Sequence, residues 1–138
     1  MKAIRKIGVM ISGSGTTLQS MIDSIRSRVL NAEIVVVISS HSSAYGTKRA
    51  EQAGIPVFVA STAARSPEIY SNEILEALKS YQVDLVVMAG FIKKYVPTVN
   101  DLPTINIHPS LLPSFGGKGM YGRNVHQAVK NYGCKLAG

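Results

Sequence analysis

The sequence predicts an α/β fold, a mainly parallel sheet doubly wound by helices. Three observations predict it. Short apolar runs of strand length alternate with stretches of helical periodicity. Two of those runs, 34–38 and 85–90, are almost continuously apolar, as strands covered on both faces are. Glycine-rich or polar breaks separate the units. Right-handed crossovers between parallel strands then lay helices on both faces.

The elements follow in order. Residues 4–11 are β-branched and apolar and stop at Ser12-Gly13-Ser14-Gly15, a strand ending in a tight loop. Thr16 or Thr17 is placed to cap the next helix, whose Leu18, Met21, Ile22 and Ile25 recur at helical spacing. A strand over 33–39, a helix over 44–53 closed by Gly54, and a strand over 56–60 come next. Ser66-Pro67 opens a third helix, carrying Ile69, Ile74, Leu75 and Leu78 inward and ending near Tyr81. A strand over 83–89, a short helical turn over 94–99, a strand over 102–107, a glycine-rich loop over 115–122 and a helix over 124–132 complete the pattern.

At 138 residues the chain predicts one domain, residues 1–138, and 46% apolar with 17% charged content is globular. No apolar run approaches the roughly 20 residues of a membrane helix, and the start lacks a signal-peptide pattern, so the expected location is cytoplasmic. The single Cys134 excludes an internal disulfide. The net charge of +7 is spread over scattered Lys and Arg without a basic block, which fits small anions or a solvated surface and gives no reason to expect nucleic acid or membrane as a partner.

Glycines in the loop after the first strand let backbone approach a phosphate, and the hydroxyls and helix-terminal N–H groups supply donors. It is not a dinucleotide fingerprint, because Leu18 stands where the third glycine belongs and Ser39-Ser40 closes the second strand without a carboxylate. A connecting turn without a ligand is the bland alternative. Gly117-Lys118 lacks the following Ser or Thr and the preceding strand of a Walker loop. At the end of the fifth strand, alternation predicts Asn106 and His108 on one face. An amide beside an imidazole suits attack of an amine on a carbonyl carbon: both can stabilise the oxyanion, and His108 can shuttle the proton. A structural histidine is the alternative reading. His41 and His126 read as surface residues, and dispersed histidines with one cysteine give no metal site. After the fourth strand, Ala89-Gly90 admits a close ligand, while Phe91, Ile92 and Tyr95 suit either a flat apolar cleft or the core.

Three stretches, I-S-G-S-G-T-T-L-Q at 11–19, V-V-M-A-G-F at 86–91 and I-N-I-H-P-S-L-L-P at 105–113, resemble the signature segments of the phosphoribosylglycinamide formyltransferase family, in order and along nearly the whole chain. The resemblance implies a Rossmann-like formyltransferase fold and transfer of a formyl group from 10-formyltetrahydrofolate, the donor co-substrate, to the amine of glycinamide ribonucleotide in purine synthesis, without a metal. It implies catalytic roles for Asn106 and His108, phosphate binding by Gly15, Thr16 and Thr17, and folate contacts from Ile92, Lys93, Lys94, Tyr95 and Asn106, with Arg65 corresponding to a folate-contacting arginine. The family often has Ser-Asn at the Thr16-Thr17 positions. A homodimer is compatible with it.

The family also implies further strands and an aspartate that orients and charges the histidine. Asp23, Asp84 and Asp101 are the only aspartates, and none is predicted at a strand's carboxyl end. The chain is therefore expected to be C-terminally truncated relative to the family, and weak or inactive alone. Another formyltransferase, a formyl-folate hydrolase, and a non-catalytic folate- or phosphate-binding module are the competing readings.

Overall fold

The computed structural model describes residues 4–98 and 101–138. The chain divides into two compact units, Met1–Asn106 and Ile107–Gly138. The first holds five parallel strands, β1 (Arg5–Ile11), β2 (Ala32–Ser39), β3 (Val57–Val59), β4 (Leu85–Met88) and β5 (Thr104–Asn106), in the order β3-β2-β1-β4-β5. Helices α1 (Thr16–Arg26), α2 (Tyr45–Gln52) and α3 (Pro67–Ser80) connect them. The order runs outward from β1 to β3 and then returns to β1's other side at β4. The switch point, where open α/β sheets bind ligands beyond the strands' carboxyl ends, thus lies between β1 and β4.

Strand alternation builds one core on each face. Ile7, Val9 and Ile11 pack with Leu18 and Ile22 of α1 and Ala50 of α2. Met10, Val36, Ile38 and Val86 pack with Tyr70, Ile74 and Leu78 of α3. Gly8 admits α3 closely, since a Cβ there would lie 2.5 Å from Leu78 Cδ2. β2 carries one extra residue: Ile7 pairs with Ile34 but Gly8 with Val36, so Val35 is bulged and both Val35 and Val36 meet the α3 core. Among the described residues β5 pairs with β4 alone, and Ile105 is 52% exposed at that edge.

The predicted doubly wound parallel sheet is the observed one. Four local expectations need correction. Gly15, at φ 71°, is the N-cap of α1; neither Thr16 nor Thr17 caps it, because both already lie in the helix. Ile69 is exposed, and Tyr70 and Ser71 take the inward positions of α3's first turns. Lys94–Thr98 form no helical turn, and Val99 lies outside the described residues. β5 stops at Asn106, shorter than the predicted 102–107. The Ser66-Pro67 start is as predicted, with Ile69 N–H donating to Ser66 Oγ.

The second unit contains α4 (Arg123–Tyr132), closed by Gly133 at φ 85°. Its loops are tied by Leu111 N–H donating to the Ala137 carbonyl over 2.7 Å and by Ser110 Oγ donating to the Ser114 carbonyl. The Phe115 ring meets Tyr132 edge to face at 5.9 Å. Among the described residues no helix is long and apolar enough to cross a membrane.

Candidate active site

β1 delivers its chain to the switch point as Ser12-Gly13-Ser14-Gly15 and turns directly into α1. No side chain caps that helix and no acidic residue stands in its first turn. The first-turn N–H groups, those of Thr16 and Thr17 included, have no intrahelical acceptor and carry the positive end of the helix dipole, a ready site for an anion. Thr16 is exposed and Thr17 half-buried, beside an open cleft of about 540 Å³ lined in part by Thr16, Gln19 and Arg49.

The loop owes its shape to α2. Gly46 N–H donates to the Gly13 carbonyl over 3.0 Å, and a Cβ on Gly15 would lie 2.6 Å from Gly46 Cα. Arg49 Nε donates to the Ser14 carbonyl over 2.8 Å, and its Nη1 reaches Gln19 Oε1 at 3.4 Å. Its guanidinium stands 5.0 Å from the centre of the Tyr45 ring. Sequence reasoning missed Gly46 and Arg49, since their partners lie some 30 residues away; the small Gly46 at the start of α2 was the one available hint.

Across the switch point, β4 runs into Ala89-Gly90-Phe91 and then 92–95. Phe91 is buried in the α3 core, and Tyr95 packs at its margin. Ile92 and Lys94 are exposed, Lys93 half-buried. α3 clamps the segment: Tyr70 Oη donates to the Lys94 carbonyl, and Val96 N–H donates to Ser71 Oγ over 3.0 Å. Tyr95 Oη donates to Asp101 Oδ1 over 2.9 Å. Partial burial, then the adjacent carboxylate, push that phenol well above the usual tyrosine range. Lys93 borders an open cleft of about 410 Å³ shared with Ser40, His41 and Ser61.

Arg65 is engaged elsewhere. Its guanidinium holds Glu73 with both Nη atoms, Nη1 to Oε2 at 2.8 Å. Each partner stabilises the other's charge: the hydrogen bond to Glu73 raises the Arg65 pKa, and that to Arg65 holds Glu73 below the usual carboxylate range.

Asn106 closes β5 opposite Met88, the last residue of β4, and is exposed. His108 is half-buried in the second unit, two residues past the strand, so strand alternation does not extend to it. Its Nε2 lies 3.1 Å from the Phe115 carbonyl, an acceptor only, so the proton sits on Nε2 and Nδ1 is the basic nitrogen. None of the aspartates stands at a strand's carboxyl end. Asp23 lies on α1, Asp84 accepts from Lys6 N–H ahead of β4, and Asp101 precedes β5.

Residues 5–137 match the family described as formyl transferase. The chain is 39% identical to the phosphoribosylglycinamide formyltransferase of Haemophilus influenzae, across 96% of this chain and 65% of that protein. It is 35% identical to the chloroplastic phosphoribosylglycinamide formyltransferase of Arabidopsis thaliana, across 97% of this chain and 48% of that one. The crystal structure of glycinamide ribonucleotide transformylase 1 from Symbiobacterium toebii superimposes with a TM-score of 0.88 at 37% identity, covering 100% of this chain and 65% of that one. The chain thus spans about half to two thirds of the length of these three relatives. It belongs to the formyl transferase family.

Proposed function

We propose that the protein transfers a formyl group from 10-formyltetrahydrofolate to the amine of glycinamide ribonucleotide, a step of de novo purine biosynthesis in the cytoplasm. The observation that carries this is the uncapped start of α1 at the switch point, facing the segment 92–95 that follows β4. Gly15, Thr16 and Thr17 hold the substrate phosphate through N–H groups and hydroxyls. Ile92, Lys93, Lys94 and Tyr95 receive the folate, chiefly through backbone atoms. Asn106 also contacts it, and Arg65 does so once its fork leaves Glu73.

The neutral amine attacks the formyl carbon, and the C=O electron pair moves onto oxygen. The Asn106 amide donates to that oxyanion. His108 takes the ammonium proton at Nδ1 and passes it to the folate nitrogen, which leaves as the carbonyl re-forms. Formylated ribonucleotide and tetrahydrofolate result.

Incubation of the chain with both substrates, followed by detection of formylated ribonucleotide, tests the reading. The expected outcome is slow product formation, in keeping with the weak activity expected of the chain alone, which His108→Ala and Asn106→Ala each reduce by about a hundredfold or more. Product formation indifferent to both substitutions would discard their assigned roles.

A second reading, a module that binds folate or a phosphorylated ligand without turnover, draws on the Phe115 carbonyl occupying His108 Nε2. Ligand affinity unchanged by His108→Ala, with no product from either protein, would favour it.

A further inference from the structure

The loops that leave β1 and β4 are joined by one side chain. Ile92 N–H donates to Ser12 Oγ over 3.0 Å, Ser12 Oγ lies 2.6 Å from Ser40 Oγ, and Ser40 Oγ lies 2.8 Å from His41 Nδ1. The peptide nitrogen can only donate, so Ser12 Oγ accepts there, while the Ser12–Ser40 and Ser40–His41 hydrogen bonds can run in either direction. One file of hydrogen bonds therefore crosses the switch point and links the carboxyl ends of β4, β1 and β2. The rest of each loop is secured outward: the Ser12–Gly15 loop to Gly46 and Arg49, the 92–96 segment to Tyr70 and Ser71. Among the described residues, the Ser12–Ile92 bond is the hydrogen bond between them.

We propose that Ser12 is a positioning residue that couples occupancy of the phosphate loop to the donor-binding segment. The inference rests on the substrates assigned above. An anion drawn onto the N–H groups of Gly15, Thr16 and Thr17 fixes the backbone that carries Ser12, and Ser12 in turn fixes the Phe91–Ile92 peptide from which Lys93 and Tyr95 extend. Ordering one loop lowers the cost of ordering the other, so each ligand tightens the binding of the other by the same factor.

Amide NMR of the labelled chain, titrated with glycinamide ribonucleotide and with tetrahydrofolate, tests this. In the wild type, ribonucleotide shifts the Gly15, Thr16 and Thr17 amides, slows exchange of the Ile92 amide, and tightens tetrahydrofolate binding roughly fivefold or more. In Ser12→Ala the loop amides still respond but the tightening falls to about onefold; Ser12→Thr, which keeps the hydroxyl, restores it. Wild-type exchange at Ile92 that ignores bound ribonucleotide overturns the coupling whether or not the variants fold. So does tightening undiminished in Ser12→Ala. No response at Gly15–Thr17, or no tetrahydrofolate binding, overturns the substrate assignment itself and the coupling with it.

Discussion

Arg49 Nε donates to the Ser14 carbonyl, so a side chain of α2 holds the loop that precedes α1. Arg49→Met removes the donor while keeping an apolar stem against Tyr45. Glycinamide ribonucleotide affinity should fall by about tenfold, the worth of one charge-assisted hydrogen bond at the low end, while tetrahydrofolate affinity measured alone changes far less. Calorimetry with the two ligands in turn checks it; equal losses for both would point to general unfolding.

Gly15 and Gly54 separate strain from overlap. Both have positive φ, 71° and 72°, but only at Gly15 would a Cβ strike backbone, with Gly46 Cα 2.6 Å away, while at Gly54 nothing lies within 4 Å. Gly54→Ala should cost roughly 1 kcal/mol, the left-handed penalty alone. Gly15→Ala should cost about 3 kcal/mol or more, because Gly46 must also move. Urea denaturation of the two variants gives the comparison; similar midpoints would refute the close approach of α1 and α2.

Tyr95 makes stability fall on the alkaline side. Its phenol holds the proton more tightly folded than unfolded, so its contribution is complete below the unfolded pKa of about 10 and is lost as pH rises beyond it. Urea midpoints should decline as pH rises above about 10, and Tyr95→Phe should flatten that decline. An identical slope in the variant would assign the effect to other groups.

Arg65 can be tested through its partner. The Arg65–Glu73 pair is exposed, so Glu73→Gln should change stability by less than about 1 kcal/mol. With Arg65 as a folate contact, releasing its fork should tighten tetrahydrofolate binding, and Arg65→Gln should weaken it. Folate affinity indifferent to both changes removes Arg65 from the site.

Wherever the determinants were local, the sequence made the fold legible. The apolar β-branched runs, the Ser66-Pro67 helix start and the glycine break after Ile11 each rest on neighbours within a few residues, and each stands where expected. The misplaced cap of α1 and the absent helical turn at Lys94–Thr98 depend instead on distant partners. Gly46 fixes Gly15 in the left-handed region, and Tyr70 with Ser71 occupies the Lys94 carbonyl and Val96 N–H that a helical turn would have used. For the candidate site, the motif residues were legible as types at spacings, but Ser12, Ser40 and Arg49, which shape it, act across 28 to 80 positions of sequence. His108 was expected to continue the alternation of β5, and the strand's end at Asn106 removes that guide.

The bulged Val35 has an effect at the far end of its own strand. Side chains in a strand keep step two by two, so one supernumerary residue resets the phase of everything after it. Ser40 sits five positions downstream, where its hydroxyl meets Ser12. Were Val35 instead to pair with Gly8, Ile38 would come to the α1 face and Ser40 would turn away from its partner, so an irregularity near the foot of the sheet keeps time for the hydrogen bonds at its top.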